Sequence, residues 1–192
     1  VIPYFNKFIK KIPNLEILAK VQNKKLIKLW EGLGYYSRAR NLKKTAQTVV
    51  KNFKGKLPDN LDDLLSLPGI GNYTASAILA IVFNKPYIPL DGNIERVLKR
   101  FLYLKKDKEI QKENLIQKKS TFGVSSRSSD YAQALMELGA LICKPNNPLC
   151  AKCPISRKCT SFIKKDFTLT KITKKNKDKY FLLKVYKKNN KY

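Results

Sequence analysis

The chain has 192 residues, enough for one or two domains, and its apolar fraction of 43% can supply a buried core, which excludes a disordered polypeptide. Lysine and arginine total 40 against 14 acidic residues, a net charge of +26, so we expect an anionic partner, with nucleic acid ahead of a membrane or an acidic ligand. No apolar run is long enough to span a bilayer and no signal-peptide pattern is present, which predicts a cytoplasmic or otherwise intracellular protein without a membrane partner.

The predicted elements are nearly all helical. Apolar residues recur with a period of about 3.6, and glycine or proline separates the periodic segments from one another. The predicted helices span residues 1–12, 15–31, 36–53, 59–66, 72–83, 93–104 and 130–143. Short loops between so many helices predict a compact all-α bundle. The first helix opens at Val1 without a capping residue, and we expect further chain upstream of it.

The composition changes after Phe162. Residues 164–192 contain 11 lysines and 2 aspartates, a net charge of +9, which predicts a basic linker over residues 164–179. The segment KYFLLKVY that follows is rich in aromatic and β-branched or aliphatic residues, as strands are. A single strand is not stable alone, so we interpret residues 180–192 as the start of a truncated second domain.

The segment LPGIGNYTA at residues 67–75 lies between two apolar helical segments, so that helix, tight hairpin and second helix occupy about residues 59–83. Gly69 and Gly71 permit positive φ and the close approach of another backbone. The free N–H groups at the start of the second helix point outward, where a phosphate group binds readily. A helix–helix corner without a ligand is the alternative interpretation.

All four cysteines lie within 17 residues, with the spacing C-x6-C-x2-C-x5-C. They are Cys143, Cys150, Cys153 and Cys159. Disulfides fit poorly with a nucleic-acid partner in a reducing compartment, and zinc ligands are usually paired through two to four residues, which only Cys150 and Cys153 obey. An iron–sulfur cluster tolerates wider loops, so we favour [4Fe–4S] over zinc and disulfides. Its expected role is structural, holding the loop over 143–159 and offering Lys144 to a phosphate.

Several segments resemble a known family. LPGIGNYTASAILAI resembles the helix-hairpin-helix of the endonuclease III superfamily of DNA glycosylases, LDGNIERVL resembles its aspartate-bearing segment, and the cysteine spacing is similar to its cluster motif. LWEGLGYYSRARNL and DYAQALMELGALIC are similar to the MutY family, adenine glycosylases that act on adenine mispaired with 8-oxoguanine or guanine. The resemblance covers residues 1–163, and KYFLLKV resembles the first strand of that family's C-terminal Nudix-like domain.

The resemblance implies an all-α, helix-hairpin-helix glycosylase fold for residues 1–163, with a [4Fe–4S] cluster, acting as a monomer on mismatched double-stranded DNA. It also implies that the hairpin amides anchor phosphates, at Pro68, Gly69, Ile70 and Gly71. Tyr35, the first tyrosine of GLGYY, matches the wedge beside 8-oxoguanine; a core aromatic beside Trp30 is the alternative.

Asp91 matches the family's catalytic aspartate. Its carboxylate would stabilise the positive charge of an oxocarbenium-like sugar, while Asn93 would position the water or the sugar. Asp91 before NIERVLKR also suits a helix N-cap, and the two roles are compatible.

Tyr73 stands where strand-nicking relatives have a nucleophilic lysine. A lysine amine forms a Schiff base with the sugar and tyrosine does not, so we expect base removal without strand cleavage, with Tyr73 lining the pocket near Asp91. A partly buried aromatic residue at a helix start is the alternative.

One expected group has no match. The family's general acid, a glutamate, lies upstream of VIPYF, and the only acidic residues before position 59, Glu16 and Glu31, do not fit its motif. We therefore expect hydrolysis by this chain alone to be very slow or absent.

Three other functions stay open. An endonuclease III-like glycosylase and lyase for oxidised pyrimidines is disfavoured by Tyr73 and by GLGYYSRAR. In a non-catalytic DNA-binding module, the hairpin, the cysteines and the charge would only hold the duplex. A structural cluster protein that binds another polypeptide is the third.

Overall fold

The structure is a computed structural model that describes residues 2–104 and 126–168. The regular elements of these residues are all helical. They are α1 (Ile2–Lys11), α2 (Leu15–Lys20), α3 (Asn23–Leu29), α4 (Tyr36–Asn52), α5 (Leu61–Ser66), α6 (Asn72–Ile81), α7 (Gly92–Leu102), α8 (Ser128–Glu137), a π-helical turn (Leu138–Ile142), two 3-10 turns (Cys150–Lys152 and Ser156–Lys158) and α9 (Thr160–Ile163). Within those two ranges, no helix combines the length and the apolar content that crossing a membrane requires.

The prediction of one helix over residues 15–31 is wrong, because the chain forms two helices there. Val21 and Gln22 are extended, with φ of −59° and −65° and ψ near 140°, and they separate α2 from α3. This break lets Leu18 and Leu26 enter the same buried cluster from two helices. The apolar periodicity continues across the break, which is why the sequence pattern does not show it.

Three clusters of buried side chains hold the helices together. The first joins α1 to α4 and contains Ile12, Leu18, Leu26, Ala39 and Ala46. The second joins α4 to α6 and contains Val49, Leu64, Leu67, Ala75 and Leu79. The third joins α7 to α8 and contains Ile94, Val97, Leu98, Leu135 and Leu138. Helix α4 therefore supports the helices on either side of it, and α7 supports the cysteine-bearing end of the chain.

The connection between α6 and α7 is tied to the start of α8. Asn84 has a left-handed backbone, with φ of 50°. Its side-chain amide donates to the Ser126 carbonyl at 2.7 Å and accepts from the Ser129 N–H at 3.0 Å. These bonds fix the start of α8 against the segment that follows α6.

The predicted basic linker over 164–179 is described only as far as residue 168. Its first residues fold back onto the end of α7, because the Tyr103 hydroxyl donates to the Asp166 carboxylate at 2.7 Å. Lys165 has φ of 52°, which turns the chain back toward that helix. The rest of the linker and the predicted strand over 180–192 lie outside the described residues.

Candidate nucleic-acid interface and cysteine pocket

Helix α4 fixes the conformation of the hairpin between α5 and α6. The Thr45 hydroxyl donates to the Pro68 carbonyl at 2.7 Å. Gly69 has φ of +79°, and a β-carbon at this position would lie 2.7 Å from the Asn41 side chain. Glycine is therefore required at 69 both by its backbone conformation and by the approach of α4.

Gly71 does not use the positive φ that glycine permits. Gly71 is extended, with φ of −103° and ψ of 178°, a conformation that any residue adopts. A β-carbon there would meet no atom within 4 Å, so the space in front of the first turn of α6 is open. Gly71 is the N-cap of α6 and provides no side-chain acceptor for that turn, which leaves N–H groups facing the open space.

The four predicted anchor residues differ in what they can donate. Pro68 has no N–H, and the Ile70 N–H is bonded to the Leu67 carbonyl at 3.2 Å. The N–H groups of Gly69 and Gly71 have no partner in the described part of the chain. An anion at the hairpin would therefore be bound by these two glycines and the first turn of α6.

The loop before α4 presents an exposed aromatic ring. Gly34 and Tyr35 are both left-handed, with φ of 65° and 45°, and the Trp30 indole N–H donates to the Gly34 carbonyl at 3.0 Å. Tyr35 is 82% exposed, which excludes a core position beside Trp30. The Arg38 guanidinium lies 5.5 Å from the centre of the Tyr35 ring and 5.8 Å from that of Trp30. These contacts hold the exposed ring against α4.

Asp91 caps the N-terminus of α7, as its position before a helix predicted. Its Oδ1 accepts from the backbone N–H groups of Asn93 and Ile94 at 2.9 and 2.7 Å. Its Oδ2 accepts from the Asn93 side-chain amide at 3.3 Å. The half-buried carboxylate keeps acceptor capacity on Oδ2, so capping does not consume it.

A chain of hydrogen bonds joins Asp91 to the cysteine loop. The Arg96 guanidinium donates to Asn93 Oδ1 at 2.9 Å, to the Gly139 carbonyl at 2.7 Å and to the Cys143 carbonyl at 2.8 Å. A β-carbon at Gly139 would lie 2.8 Å from Asn93, so glycine permits this close packing. Burial lowers the pKa of Arg96, although a guanidinium remains protonated in proteins.

Tyr73 lies outside the hydrogen-bond network of Asp91, Asn93 and Arg96. It lies on the first turn of α6 and is 45% exposed. In the described part of the chain, no hydrogen bond joins its hydroxyl to the Asp91 carboxylate. The structure therefore brings Asp91 and Asn93 together and leaves Tyr73 exposed at the edge of the hairpin.

The four predicted metal ligands share one pocket. Cys143, Cys150, Cys153 and Cys159 are all half-buried, and they line this pocket with Arg100, Phe162 and Phe167 among others. Burial raises the pKa of the Cys150 and Cys153 thiols. Across residues 2–104 and 126–168, no group of three or more His, Cys, Asp or Glu side chains is arranged to hold a single metal ion.

Lys144, the predicted phosphate contact, lies where Arg100 bonds the backbone of the cysteine loop. Its side chain is exposed, and its carbonyl accepts from Arg100 at 2.6 Å.

The sequence analysis missed Arg96 and Arg100 because it counted them in the general basic surplus. Their spacing of four residues on α7, beside the buried Val97, was a signal that both side chains face the same neighbour.

The all-helical scaffold, with a glycine hairpin before one helix and a four-cysteine loop packed on another, has the architecture of endonuclease III-like DNA glycosylases. A thermostable thymine-DNA glycosylase superposes with a TM-score of 0.72 and 28% identity, covering 84% of this chain and 76% of that one. An endonuclease III in a non-covalent complex with DNA superposes with a TM-score of 0.70 and 24% identity, covering 85% and 76%.

Residues 1–120 match the HhH-GPD superfamily of base excision DNA repair proteins, and the chain belongs to this superfamily. An adenine DNA glycosylase of Buchnera aphidicola subsp. Baizongia pistaciae is 40% identical over 163 residues, which are 85% of this chain and 46% of that protein. An adenine DNA glycosylase of Homo sapiens is 37% identical over 166 residues, 83% of this chain and 30% of that protein. The chain thus spans less than half the length of these curated relatives.

Proposed function

We propose that this protein is an adenine DNA glycosylase of base excision repair, which hydrolyses the N-glycosidic bond of adenine opposite 8-oxoguanine or guanine. The observation that carries the proposal is the Asp91 carboxylate, held at the start of α7 with Oδ2 still able to accept. The relatives named adenine DNA glycosylase support adenine as the base.

DNA binding rests on the open face of the hairpin. The N–H groups of Gly69 and Gly71 and the positive end of the α6 dipole would hold a backbone phosphate, with Pro68 and Ile70 shaping the turn. Lys144 would contact a second phosphate from the cysteine loop. The net charge of +26 would add non-specific attraction that weakens as salt rises.

Catalysis requires the adenine to leave the base stack. The exposed Tyr35 ring, braced by Arg38, would insert beside the opposing base. The Asp91 carboxylate would then stabilise the developing cationic sugar by Coulomb attraction in a site with little water. Asn93 is bonded to both Asp91 and Arg96, so in this proposal it orients the carboxylate and also leaves one amide hydrogen for water or sugar.

Tyr73 favours base removal without strand cleavage. Its phenol cannot form the Schiff base through which a lysine cleaves the strand. Its exposure at the start of α6 is compatible with contact to a base entering the pocket. We assign no proton donor for adenine in the described part of the chain; the general acid that the family resemblance implies is a glutamate, which no residue of this sequence matches.

We infer that the cysteine pocket holds a [4Fe–4S] cluster. Four thiols line one pocket, and their spacing C-x6-C-x2-C-x5-C fits a cluster in which the thiolates bind different iron atoms better than zinc, whose ligands are usually paired through two to four residues. When bound, the cluster would cross-link the loop through Cys143, Cys150, Cys153 and Cys159. It would thereby hold the Lys144 backbone in place and take no part in the hydrolysis.

The remaining assignments follow the resemblance. We propose that residues 1–163 form a monomeric glycosylase core and that 164–179 link it to a Nudix-like domain beginning at 180–192. That domain would recognise the oxidised guanine. The superfamily assignment supports action on DNA inside the cell.

The test is a single-turnover assay on a duplex with adenine opposite 8-oxoguanine, analysed with and without alkali. We would compare this chain with the same chain preceded by the upstream segment of the Buchnera relative. Strand cutting that needs alkali and appears only with the extended chain supports the proposal. Cutting without alkali would instead indicate an endonuclease III-like lyase, and binding without any cutting by either protein would indicate a non-catalytic DNA-binding module.

A further inference from the structure

Arg100 is the one charged side chain that is buried among the described residues, with 2% of its surface exposed. It lies on the face of α7 that contacts the cysteine loop. Removing a guanidinium from water costs much free energy unless hydrogen bonds and opposite charge replace the lost hydration. A buried arginine at this position therefore calls for a reason connected with the pocket beside it.

The contacts of Arg100 concentrate on the cysteine loop. Nη1 donates to the Lys144 carbonyl at 2.6 Å and lies 3.5 Å from Cys143 Sγ, while Nη2 donates to the Pro145 carbonyl at 2.8 Å. The Cys159 thiol in turn donates to the Arg100 backbone carbonyl at 3.6 Å. Arg100 thus touches the first and the last cysteine of the set and lines the pocket that all four share.

An aromatic residue after the last cysteine covers this arginine. The Arg100 guanidinium carbon lies 5.5 Å from the centre of the Phe167 ring, and Phe167 lines the same pocket. The neighbouring Asp166 accepts from the Tyr103 hydroxyl at 2.7 Å, and the Lys164 ammonium lies 4.5 Å from the Tyr103 ring centre. These contacts hold the segment that carries Phe167 over Arg100 and exclude water from the guanidinium. A charge acts more strongly on its neighbours when water is excluded.

We propose that Arg100 is a positioning residue for the iron–sulfur cluster and supplies the buried positive charge that resists its oxidation. The inference rests on the cluster assigned in the proposed function. A [4Fe–4S] cluster with four thiolates is anionic, and a one-electron oxidant removes one electron from it and is itself reduced. A fixed cation beside the ligands stabilises the more negative, reduced form, so it raises the reduction potential and slows oxidative loss.

The experiment compares the wild-type chain, purified anaerobically with its cluster, with the neutral variant Arg100→Gln and the charge-retaining variant Arg100→Lys. The readouts are the reduction potential by voltammetry on DNA-free protein and the rate at which ferricyanide bleaches the visible absorption. We expect Arg100→Gln to have a lower potential and to bleach severalfold faster. Arg100→Lys should match the wild type in both, because it keeps the charge.

Lys99→Met is the matched control. Lys99 is the preceding residue on α7 and is paired with Glu95 at 2.5 Å, so its loss removes one cation without touching the pocket. We expect no change in potential for this variant, whereas a change equal to that of Arg100→Gln would overturn the proposal by showing a general charge effect.

An unchanged potential in Arg100→Gln also overturns the proposal. If Arg100→Gln does not fold, Arg100→Met supplies a second neutral side chain, and a potential equal to that of the wild type in this variant overturns the proposal. A lowered potential in Arg100→Lys would overturn it as well, because that variant keeps the charge. Wild-type protein that carries no cluster refutes the proposed cofactor and this inference with it. That failure is visible in the first spectrum, before any variant is made.

Discussion

The hairpin and the cysteine loop are both turns that α-helices hold in place, but different forces hold them. The hairpin rests on α4 through the neutral hydroxyl of Thr45 and the close fit of Gly69 against Asn41, above an apolar cluster. The cysteine loop rests on α7 through two arginines, Arg96 and Arg100, whose guanidinium groups bond loop carbonyls.

This difference indicates which of the two regions is stable without a bound group. Neutral hydrogen bonds and apolar burial stabilise the hairpin without any added group. The Arg96 and Arg100 guanidinium groups beside the four thiols place positive charge where an anionic group would bind, so in our proposal the cysteine loop depends on a bound cluster. The cysteine loop is linked to Asp91, at the start of α7, through Arg96 and Asn93.

The largest effect is expected at Asp91. Asp91→Asn should keep the helix cap, because asparagine is also a good N-cap, but it removes the negative charge. We expect base removal by the extended chain to fall roughly 10²- to 10³-fold with DNA affinity unchanged. Single-turnover kinetics measure this, and Asp130→Asn, at an exposed ion pair on α8, is the control that should retain full activity.

Cys153→Ser should affect the cysteine loop and leave the hairpin unchanged. Losing one ligand should release the cluster, so that amide hydrogen exchange becomes fast over 143–159 while the bonded hairpin amides of Leu67 and Ile70 keep their protection. Hydrogen-exchange mass spectrometry with iron analysis checks both. Ser156→Ala, in the same loop but without a ligand sulfur, should retain iron. Equal loss of protection in hairpin and loop would contradict the comparison.

Two glycine substitutions distinguish the roles of Gly69 and Gly71 in the hairpin. Gly69→Ala imposes a left-handed backbone on alanine and a clash with Asn41, so the free energy of unfolding should fall by about 1–3 kcal/mol. Gly71→Ala meets no atom and should cost less than about 1 kcal/mol, yet its methyl group occupies the open space before α6 and should weaken DNA binding. Urea unfolding and fluorescence anisotropy measure the two quantities.

Thr45→Val removes the hydroxyl that donates to the Pro68 carbonyl and keeps the side-chain shape. The loss should be about 1 kcal/mol in the free energy of unfolding, because a partly buried carbonyl loses its partner. Thr48→Val is matched, since the Thr48 hydroxyl donates only within its own helix, to Lys44. Equal destabilisation of the two variants would show that the bond from α4 does not hold the hairpin.

The smallest effect concerns the exposed ion pair between Asp59 and Lys85. The hydrogen bond from Lys85 and its positive charge lower the pKa of Asp59. A carboxylate whose pKa falls on folding stabilises the protein above its unfolded pKa and loses this contribution as the pH falls through the folded pKa. Asp59→Asn should lower the melting temperature slightly at pH 7 and not once the pH has fallen below the lowered pKa of the folded state. Asp62→Asn on α5 serves as the control, and strong salt should abolish the difference.

Features that depend on nearby residues were predicted well. The all-helical class and the positions of the helices around the hairpin follow from the apolar period and from glycine and proline. The N-cap at Asp91 was also predicted, because a cap bonds only the next few residues. The sequence permitted positive φ at both Gly69 and Gly71, and it does not show that α4 approaches Gly69, the one that adopts it.

The sequence by itself determined the helical class, the hairpin, the spacing of the four cysteines and the positive charge, because each depends on residues within a few positions or on composition alone. Only the tertiary structure decided that Arg96 and Arg100 leave the surface to bond a loop more than 40 residues away. It also decided that Gly139 packs against Asn93 and that Phe167 covers Arg100. Such pairings arise when distant helices pack, and the energy of a buried guanidinium depends on the groups that this packing places around it.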